Sequence, residues 1–150
     1  MSLDLDKIKE ELKTLPNYIE GQIGLQGTED NNDPFFSCGS FLKIKNLGYV
    51  ENDFRVPIFN IPYINSIIKD LNMTRTRIMN LKSKTCYSYH KDYSKRIHIP
   101  IITNENCFMI IDKKLEHYPA NGTYYITDTT KYHTAVNASW EDRIHIVGVI

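Results

Sequence analysis

The chain has 150 residues, of which 41% are hydrophobic and 24% are charged, a composition typical of a folded domain with a sizeable core. Lysine plus arginine and aspartate plus glutamate each number 18, so the formal net charge is zero. This balance argues against nucleic-acid and membrane-surface partners, because both usually require a basic excess.

The cysteines and the apolar segments bear on the cellular compartment. Cys38, Cys86 and Cys107 are widely spaced and form no CxxC pair, which argues against a disulfide framework and against a structural zinc knuckle. No apolar run approaches the roughly 18 residues of a membrane span. The N-terminus lacks the basic-then-apolar layout of a signal peptide. We therefore expect a reduced, cytoplasmic protein with no membrane partner.

Helical and turn-rich segments alternate over the first 72 residues. Leucines and isoleucines at spacings of three and four predict short amphipathic helices over residues 4–16 and 61–72. Residues 18–27 predict a strand with glycine breaks. The acidic, turn-rich segment 27–40 predicts a long loop, which is either a lid over the functional site or a mobile surface excursion.

The remaining sequence consists of short β-branched and aromatic runs separated by turn signals. The runs are TRTRIMNL (74–81), TCYSYH (85–90), RIHIPIIT (96–103), CFMIID (107–112), KLEHYP (114–119), GTYYITD (122–128), YHTAVN (132–137) and RIHIVGVI (143–150). Eight short strands at intervals near ten residues predict a jelly roll. We predict a mostly β (α+β) fold, a cupin-like double-stranded β-helix with about two flanking helices. Residues 1–150 form one domain in this prediction, with a helical and loop part (1–72) and metal-binding core strands (73–150).

Two histidines and an aspartate form the most informative group. His90 and Asp92 are two residues apart, so their side chains project to the same side of an extended backbone. His133 lies 41 residues later, on a run that a jelly roll can bring beside the first. Two imidazoles and one carboxylate are typical of non-haem Fe(II) sites. Zinc hydrolases use the same ligand types, so the ligands alone do not decide between the two.

Inward-facing arginines help to distinguish between a non-haem iron site and a zinc hydrolase. Alternation along the last strand puts Arg143, His145 and Val147 on one face, and Arg96 and His98 alternate in the same way with isoleucines. An arginine inside a barrel requires an anion, and a guanidinium binds a carboxylate in a bidentate fork. The combination suits a small dicarboxylate chelated to a metal, such as 2-oxoglutarate.

Together, these residues resemble the motifs of a known family. The C-terminal two-thirds of the chain resembles the aspartyl/asparaginyl β-hydroxylase group of 2-oxoglutarate-dependent oxygenases, including its bacterial relatives that hydroxylate free amino acids. The matching segments are RIMNLKS, HKDYSKRIHIPIITN, PANGTYYITDTTKYHTAVN and DRIHIVGV, in the same order and at similar spacing.

The resemblance implies a role for each of the motif residues. His90, Asp92 and His133 would be the iron ligands, and Arg143 would hold the distal carboxylate of 2-oxoglutarate. Arg96, together with His98, would lie against the metal-proximal end of this cofactor. Some animal members of the group lack the carboxylate ligand, whereas this chain has Asp92 at that position.

We therefore expect an Fe(II)- and 2-oxoglutarate-dependent dioxygenase that uses dioxygen to hydroxylate a free amino acid or an Asp/Asn-type residue in a peptide. The short chain favours a small substrate. The alternative is a non-catalytic, cupin-like protein that binds a metal and a dicarboxylate. A zinc hydrolase is the third reading, and it gives no obvious role to Arg143 and Arg96.

Several other polar residues have two interpretations. Arg75, Arg77, Tyr87 and Tyr89 can line a substrate pocket or occupy an exposed strand face, and the sequence favours the exposed face. Elsewhere, His145 is expected to be structural, His117 to end a strand, and Asp128 to cap the turn before the second histidine of the motif.

Overall fold

The computed structural model describes residues 2–150 and contains three α-helices in that range: α1 (Leu5–Leu12), α2 (Phe41–Lys45) and α3 (Pro62–Asp70). The first and third confirm the two predicted helices. α1 begins after Asp4, whose carboxylate accepts from the Lys7 amide at 3.1 Å, as an N-cap does. No helix of the described range is long and apolar enough to cross a membrane.

Two short helical elements were not predicted. The five-residue helix α2 begins after Ser40, whose hydroxyl accepts from the Leu42 amide. A single 3₁₀ turn, Glu51–Asp53, follows it. Neither segment is long enough to show a helical hydrophobic period, yet α2 lines the functional site described below and the 3₁₀ turn supplies a carboxylate that binds arginines of its wall.

Eleven strands form within residues 2–150. They are β1 (Gln22–Gly24), β2 (Gln26–Gly27), β3 (Val56–Pro57), β4 (Thr74–Leu81), β5 (Thr85–Cys86), β6 (Arg96–Ile102), β7 (Cys107–Ile111), β8 (Lys114–Glu116), β9 (Tyr125–Thr127), β10 (His133–Asn137) and β11 (Arg143–Val149). Each of the eight predicted C-terminal runs contains one of them, although several strands are shorter than the run.

The strands assemble into two main antiparallel sheets. One has five strands in the order β1-β4-β11-β6-β9, and the other has four in the order β5-β10-β7-β8. β2 and β3 make a separate two-stranded ribbon. Apart from the hairpin of β7 and β8, neighbours in the two sheets are not consecutive in sequence, for example β4 beside β11 and β5 beside β10. This arrangement confirms the predicted cupin-like jelly roll.

The outer face of the five-stranded sheet carries the main apolar core. Ile78, Ile97, Ile99 and Ile146 are almost completely buried there. They belong to one cluster with residues of α1 and α3, the two amphipathic helices. The helices therefore pack on the outside of the roll, and most of the hydrophobic stabilisation is found on that side.

The inner face of the same sheet is polar. It carries Arg77, Arg96, His98, Arg143 and His145, each at most 6% exposed. Alternation along β6 and β11 produces this division, since each arginine or histidine on the inner face is followed by an isoleucine on the outer face. The predicted orientation of the arginines and histidines is thus confirmed, and the roll encloses buried positive charge.

The loop 27–40 is anchored against the body of the protein. The Gly24 amide donates to the Pro34 carbonyl at 2.7 Å, and Phe35 packs against the main core. Ser37 is 1% exposed. The loop contributes to the inner cavity through its last two residues, 39–40, where it forms part of the wall.

Candidate metal centre

A cavity of about 570 Å³ lies between the two main sheets and contains all the motif residues. The five-stranded sheet supplies its arginines and His98, and the four-stranded sheet supplies Met109, His133 and Ala135. His90 and Asp92 reach it from the segment that follows β5. The jelly-roll topology therefore brings together side chains that are more than 40 residues apart in sequence.

His90, Asp92 and His133 converge on one point. One ligand atom from each lies within 4.8 Å of the others. His90 Nε2 is 3.6 Å from Asp92 Oδ1, and His133 Nε2 is 3.4 Å from Asp92 Oδ2. The backbones of the two histidines exchange hydrogen bonds of 3.0 and 2.8 Å in an antiparallel bridge. The bridge fixes the two imidazoles beside each other, with ring centroids 4.4 Å apart.

Backbone carbonyls select the tautomer of both histidines. His90 Nδ1 lies 2.6 Å from the Ser88 carbonyl, and His133 Nδ1 lies 2.9 Å from the Lys131 carbonyl. A carbonyl only accepts, so Nδ1 must carry the proton in each ring. Without a metal, a proton on Nε2 of His133 donates to the Asp92 carboxylate, and this contact outweighs burial and raises the pKa of His133. In each neutral ring the lone pair is on Nε2, the atom that faces Asp92. This is the arrangement that a metal-binding histidine requires.

Asp92 is held as a carboxylate. Its partial burial favours the neutral acid, but the hydrogen bond to His133 and the charge of Arg96 outweigh burial and lower the pKa of Asp92 to about 2. Its main-chain amide donates to the Thr129 carbonyl at 2.8 Å. The group is therefore ionised and fixed in position at neutral pH.

A buried carboxylate on the 3₁₀ turn binds two arginines of the cavity wall. Glu51 Oε2 is 2.9 Å from Arg96 Nη2 and 3.2 Å from Arg75 Nη1. Arg96 also reaches Asp92, with Nε 3.5 Å from Oδ2, and donates to the Ser94 hydroxyl at 2.6 Å. We call Glu51, Arg75, Arg96 and Ser94 the Glu51 clamp. Through it, the position of Arg96 beside Asp92 is fixed by a residue 45 positions earlier.

We expect Glu51→Gln to lower the free energy of unfolding by about 3 kcal/mol, because it leaves the buried guanidinium of Arg75 without a counter-charge and that of Arg96 with Asp92 alone. Urea denaturation of the metal-free protein measures the change. Glu10→Gln is the matched control, since Glu10 pairs with Lys13 in full solvent exposure and such pairs contribute little. Equal effects in the two variants would contradict the assignment of the clamp.

Two other arginines in the cavity have no carboxylate partner. Arg143 is 3% exposed and Arg77 is 6% exposed. Neither forms an ion pair with any residue of the described range 2–150, and the Nε–H of each is buried without a hydrogen-bond acceptor. Burial lowers the pKa of both guanidiniums, yet arginine remains charged in proteins. A buried unpaired charge is costly, so both side chains indicate an anionic ligand.

The histidines on the inner face are neutral. His98 Nδ1 and His145 Nδ1 are 3.1 Å apart, so one donates and the other accepts. Burial, followed by the charge of Arg143, lowers the pKa of His98 to about 3, and the pKa of His145 also lies well below its usual value. His98 lines the main cavity, whereas His145 lies behind it. The pair therefore adds no positive charge to the inner face.

A comparison of the sequence with known protein families covers all of these residues in a single match. The family described as Aspartyl/Asparaginyl beta-hydroxylase has a model that matches residues 4–148. The chain belongs to the aspartyl/asparaginyl beta-hydroxylase family. This confirms the resemblance found in the motifs and extends it to the helices and loops before residue 73. No curated protein has a matching sequence.

Solved structures similar to this hydroxylase-family chain share little sequence with it. A cupin domain from Bordetella pertussis is 12% identical and has a TM-score of 0.44, covering 51% of this chain and 79% of that chain. A predicted oxalate decarboxylase from Thermotoga maritima is 16% identical with a TM-score of 0.44, covering 55% and 72%. A Photorhabdus luminescens protein is 16% identical with a TM-score of 0.41, covering 49% of this chain and 58%, less than two thirds, of that chain.

The donor set of this family member is compatible with a divalent metal. Two Nε2 lone pairs and an ionised carboxylate converge at distances that one ion can bridge, given metal–ligand bonds of about 2.0–2.2 Å. The set matches the two-histidine, one-carboxylate ligation of non-haem iron. Arg96 stands next to these ligands, but its guanidinium is already bound by the two carboxylates Glu51 and Asp92. A contact between Arg96 and the cofactor stays a prediction, as does one from His98.

The structure also decides between the two interpretations of the remaining residues. Arg75, Arg77 and Tyr87 line the cavity, so the exposed strand face expected for them is wrong. Tyr89 is exposed as expected, and it stacks on a neighbouring tyrosine. β4 is buried along most of its length, so its TRTR run places polar and charged side chains inside the protein and not on an exposed face.

The expectations for the turn and strand-end residues hold. The Asp128 carboxylate accepts from the Thr130 amide at 3.2 Å and so caps the turn before His133. His117 follows β8 and its Nδ1 donates to the Cys107 carbonyl at 2.8 Å. These residues fix the backbone around the cavity and take no part in its lining.

Proposed function

We propose that the protein is an Fe(II)- and 2-oxoglutarate-dependent oxygenase that hydroxylates a free amino acid or an Asp/Asn-type residue in a peptide. One observation carries the proposal. The same cavity holds a His-Asp-His cluster and a buried arginine, Arg143, that has no anionic partner within residues 2–150. Membership of the aspartyl/asparaginyl beta-hydroxylase family supports oxygenase chemistry.

His90, Asp92 and His133 would hold the metal. When bound, iron and 2-oxoglutarate would supply the electrons that activate dioxygen, which is the oxidant for hydroxylation of an unactivated C–H bond. The carbonyl contacts of both histidines keep the imidazoles oriented and engage Nδ1, so that Nε2 is the atom available to a metal. Asp92 contributes negative charge, and Arg96 keeps its second oxygen in place.

Arg143 would bind the distal carboxylate of 2-oxoglutarate. It lies on β11, on the inner face, and its guanidinium has no counter-ion among the described residues. A carboxylate fits the guanidinium fork and removes the cost of an unpaired buried charge. The neutral state of His98 leaves the positive charge of this wall on arginine, where it cannot be lost by deprotonation.

The interior of the cavity is suited to exclude bulk water. Its arginines and His98 are buried, and the apolar side chains of Met109 and Ala135 face them from the opposite sheet. Electrostatic interactions are stronger in such a site than in water. The chain would therefore orient the bound groups, supply charged side chains to hold them and shield them from bulk water.

The proposal predicts that a metal and 2-oxoglutarate stabilise the protein together by more than the sum of their separate effects. A ligand that bridges the metal and Arg143 makes each component strengthen the binding of the other. Thermal midpoints are measured with and without Mn(II), which does not support turnover, and with and without 2-oxoglutarate. We expect the combined shift to exceed the sum by several degrees.

Glutarate is the matched control, because it keeps both carboxylates but lacks the keto oxygen needed for chelation. It should shift the midpoint only additively with Mn(II). Additive shifts for 2-oxoglutarate as well would contradict the bridged site. Succinate release after Fe(II)-loaded protein is exposed to oxygen then separates an oxygenase from a protein that only binds the metal and the dicarboxylate.

A further inference from the structure

Arg77 is a second buried cation that the proposed function does not use. It lies on the inner face of β4, is 6% exposed, and lines the cavity. Its polar contact is Nη1 to the Gln22 Oε1 atom at 3.1 Å, and Nε has no acceptor. The Gln22 oxygen also accepts from the Gly39 amide at 3.1 Å. A neutral amide therefore orients this guanidinium without neutralising it.

The sheet register places Arg77 away from Arg143. Arg77 pairs with Val147 of β11, and Arg143 lies four residues earlier on that strand. Four residues correspond to about 13 Å along the strand. Arg77 is near Gln22 and Gly39 at the edge formed by β1 and the end of the 27–40 loop. A ligand held between the metal and Arg143 has no carboxylate left for Arg77.

The charged side chains around the cavity do not balance, and positive charge is in excess. Four buried arginines, Arg75, Arg77, Arg96 and Arg143, line it. They are opposed by Asp92 in the cavity wall and by Glu51 in the clamp. A divalent metal and the 2-oxoglutarate dianion cancel each other, so their binding does not remove the two surplus positive charges. Since buried charge requires a partner, the filled site still needs an anion.

We propose that Arg77 binds a carboxylate of the molecule to be hydroxylated, separately from the carboxylate bound by Arg143. This inference rests on the proposed function and deepens it by naming the substrate class: the substrate is a carboxylate-bearing molecule. The carboxylate is either the α-carboxylate of a free amino acid or the side-chain carboxylate of an acidic residue in a peptide. Gln22 is the positioning residue that aims the guanidinium.

The experiment uses the full chain loaded with Mn(II) and saturated with 2-oxoglutarate, so that binding is measured without turnover. Thermal midpoints are followed against four probes: a mixture of free L-amino acids, the matching L-amino-acid amides, N-acetyl-L-aspartate amide and N-acetyl-L-asparagine amide. The first pair tests the α-carboxylate, and the second pair tests a side-chain carboxylate. Wild type, Arg77→Gln and Arg77→Lys are compared. Arg55→Gln is the control, because it removes the same charge from an exposed site.

We expect one acidic probe to stabilise wild type and its neutral partner to do so at least tenfold more weakly. In Arg77→Gln the concentration of the acidic probe at half-maximal stabilisation should rise at least tenfold, while Arg77→Lys recovers part of the loss and Arg55→Gln resembles wild type. The affinity for 2-oxoglutarate, measured by calorimetry without probe, should stay within about twofold in Arg77→Gln.

The inference would be overturned by equal responses to an acidic probe and its neutral partner, by an unchanged response in Arg77→Gln, or by no response of wild type to either acidic probe. A loss of 2-oxoglutarate affinity in Arg77→Gln would assign Arg77 to the cofactor and leave the proposed function standing. If wild type does not bind 2-oxoglutarate at all, the proposed function fails. The same probes on protein loaded with Mn(II) alone then still test whether Arg77 binds a carboxylate.

Discussion

Replacing Arg143 by glutamine is expected to weaken 2-oxoglutarate binding at least tenfold and to leave the affinity for the metal alone unchanged. The guanidinium is 3% exposed and has no counter-ion among residues 2–150, so a carboxylate bound there gains a charge-assisted, bidentate contact in a sheltered site. A tenfold loss corresponds to about 1.4 kcal/mol, which is modest for such a contact. Metal affinity should stay the same because the three side chains proposed to bind the metal form no ion pair or hydrogen bond with Arg143.

Calorimetric titration of 2-oxoglutarate into Mn(II)-loaded wild type, Arg143→Gln and Arg143→Lys measures the effect directly. Lysine should recover only part of the affinity, since it keeps the charge but loses the fork. Arg55→Gln removes an exposed arginine and should behave as wild type. Equal affinity in all four proteins would remove Arg143 from the site and would bring the zinc-hydrolase reading back.

Stability provides an internal check on the Arg143 variant. Because the wild-type guanidinium is buried without an anion, its replacement by a neutral side chain removes an unfavourable term from the ligand-free protein. The glutamine variant should therefore unfold at the same urea concentration as wild type or at a higher one. Loss of 2-oxoglutarate binding in a protein of undiminished stability cannot be attributed to misfolding.

Asp92→Ala is expected to lower the metal affinity by at least about a hundredfold and to abolish turnover, with the fold retained. The carboxylate is the only anionic member of the cluster His90, Asp92 and His133, so its loss removes both a ligand and the charge that offsets the metal. The fold should persist, because the backbone bridge between the two histidines does not involve the Asp92 side chain.

Binding of Mn(II), followed by electron paramagnetic resonance, gives the metal affinity, and succinate release gives turnover. Asp70→Ala is the matched control, since Asp70 is an exposed aspartate at the end of α3. Asp92→Asn keeps the shape and loses the charge, and it should bind the metal almost as weakly as the alanine variant. Near-wild-type metal affinity or turnover in Asp92→Ala would show that two histidines suffice, as in the relatives that lack this ligand.

Much of the fold was predictable because it depends on local periodicity. The isoleucines of β6 and β11 alternate with arginine and histidine, and this pattern by itself assigns one face to the core and the other to the cavity. The spacing of His90 and Asp92 and the later His133 predicted side chains that converge, and the structure brings them within 4.8 Å. In each case the information lies within a few residues or in a repeated motif.

The Glu51 clamp and Arg77 depend on contacts that no local pattern encodes. Glu51 occupies a single 3₁₀ turn, and its partners are 24 and 45 residues later in the chain. The burial of Arg77 depends on β1 and the end of the 27–40 loop covering β4. The Ser40 cap before α2 could have been recognised in the sequence, but a five-residue helix is too short to show a hydrophobic period.

Alternate residues of the five-stranded sheet have different roles, because one face of the sheet packs in the apolar core and the other lines the cavity. Ile97 and Ile99 bind the sheet to its outer helices, whereas Arg96 and His98, their immediate neighbours, belong to the cavity. A substitution at an inward position removes little apolar contact and does not disturb the outer core. Substrate range can therefore diverge among descendants of such a sequence while the scaffold stays constant, with β4 and β11 the natural strands on which to evolve or engineer a new preference.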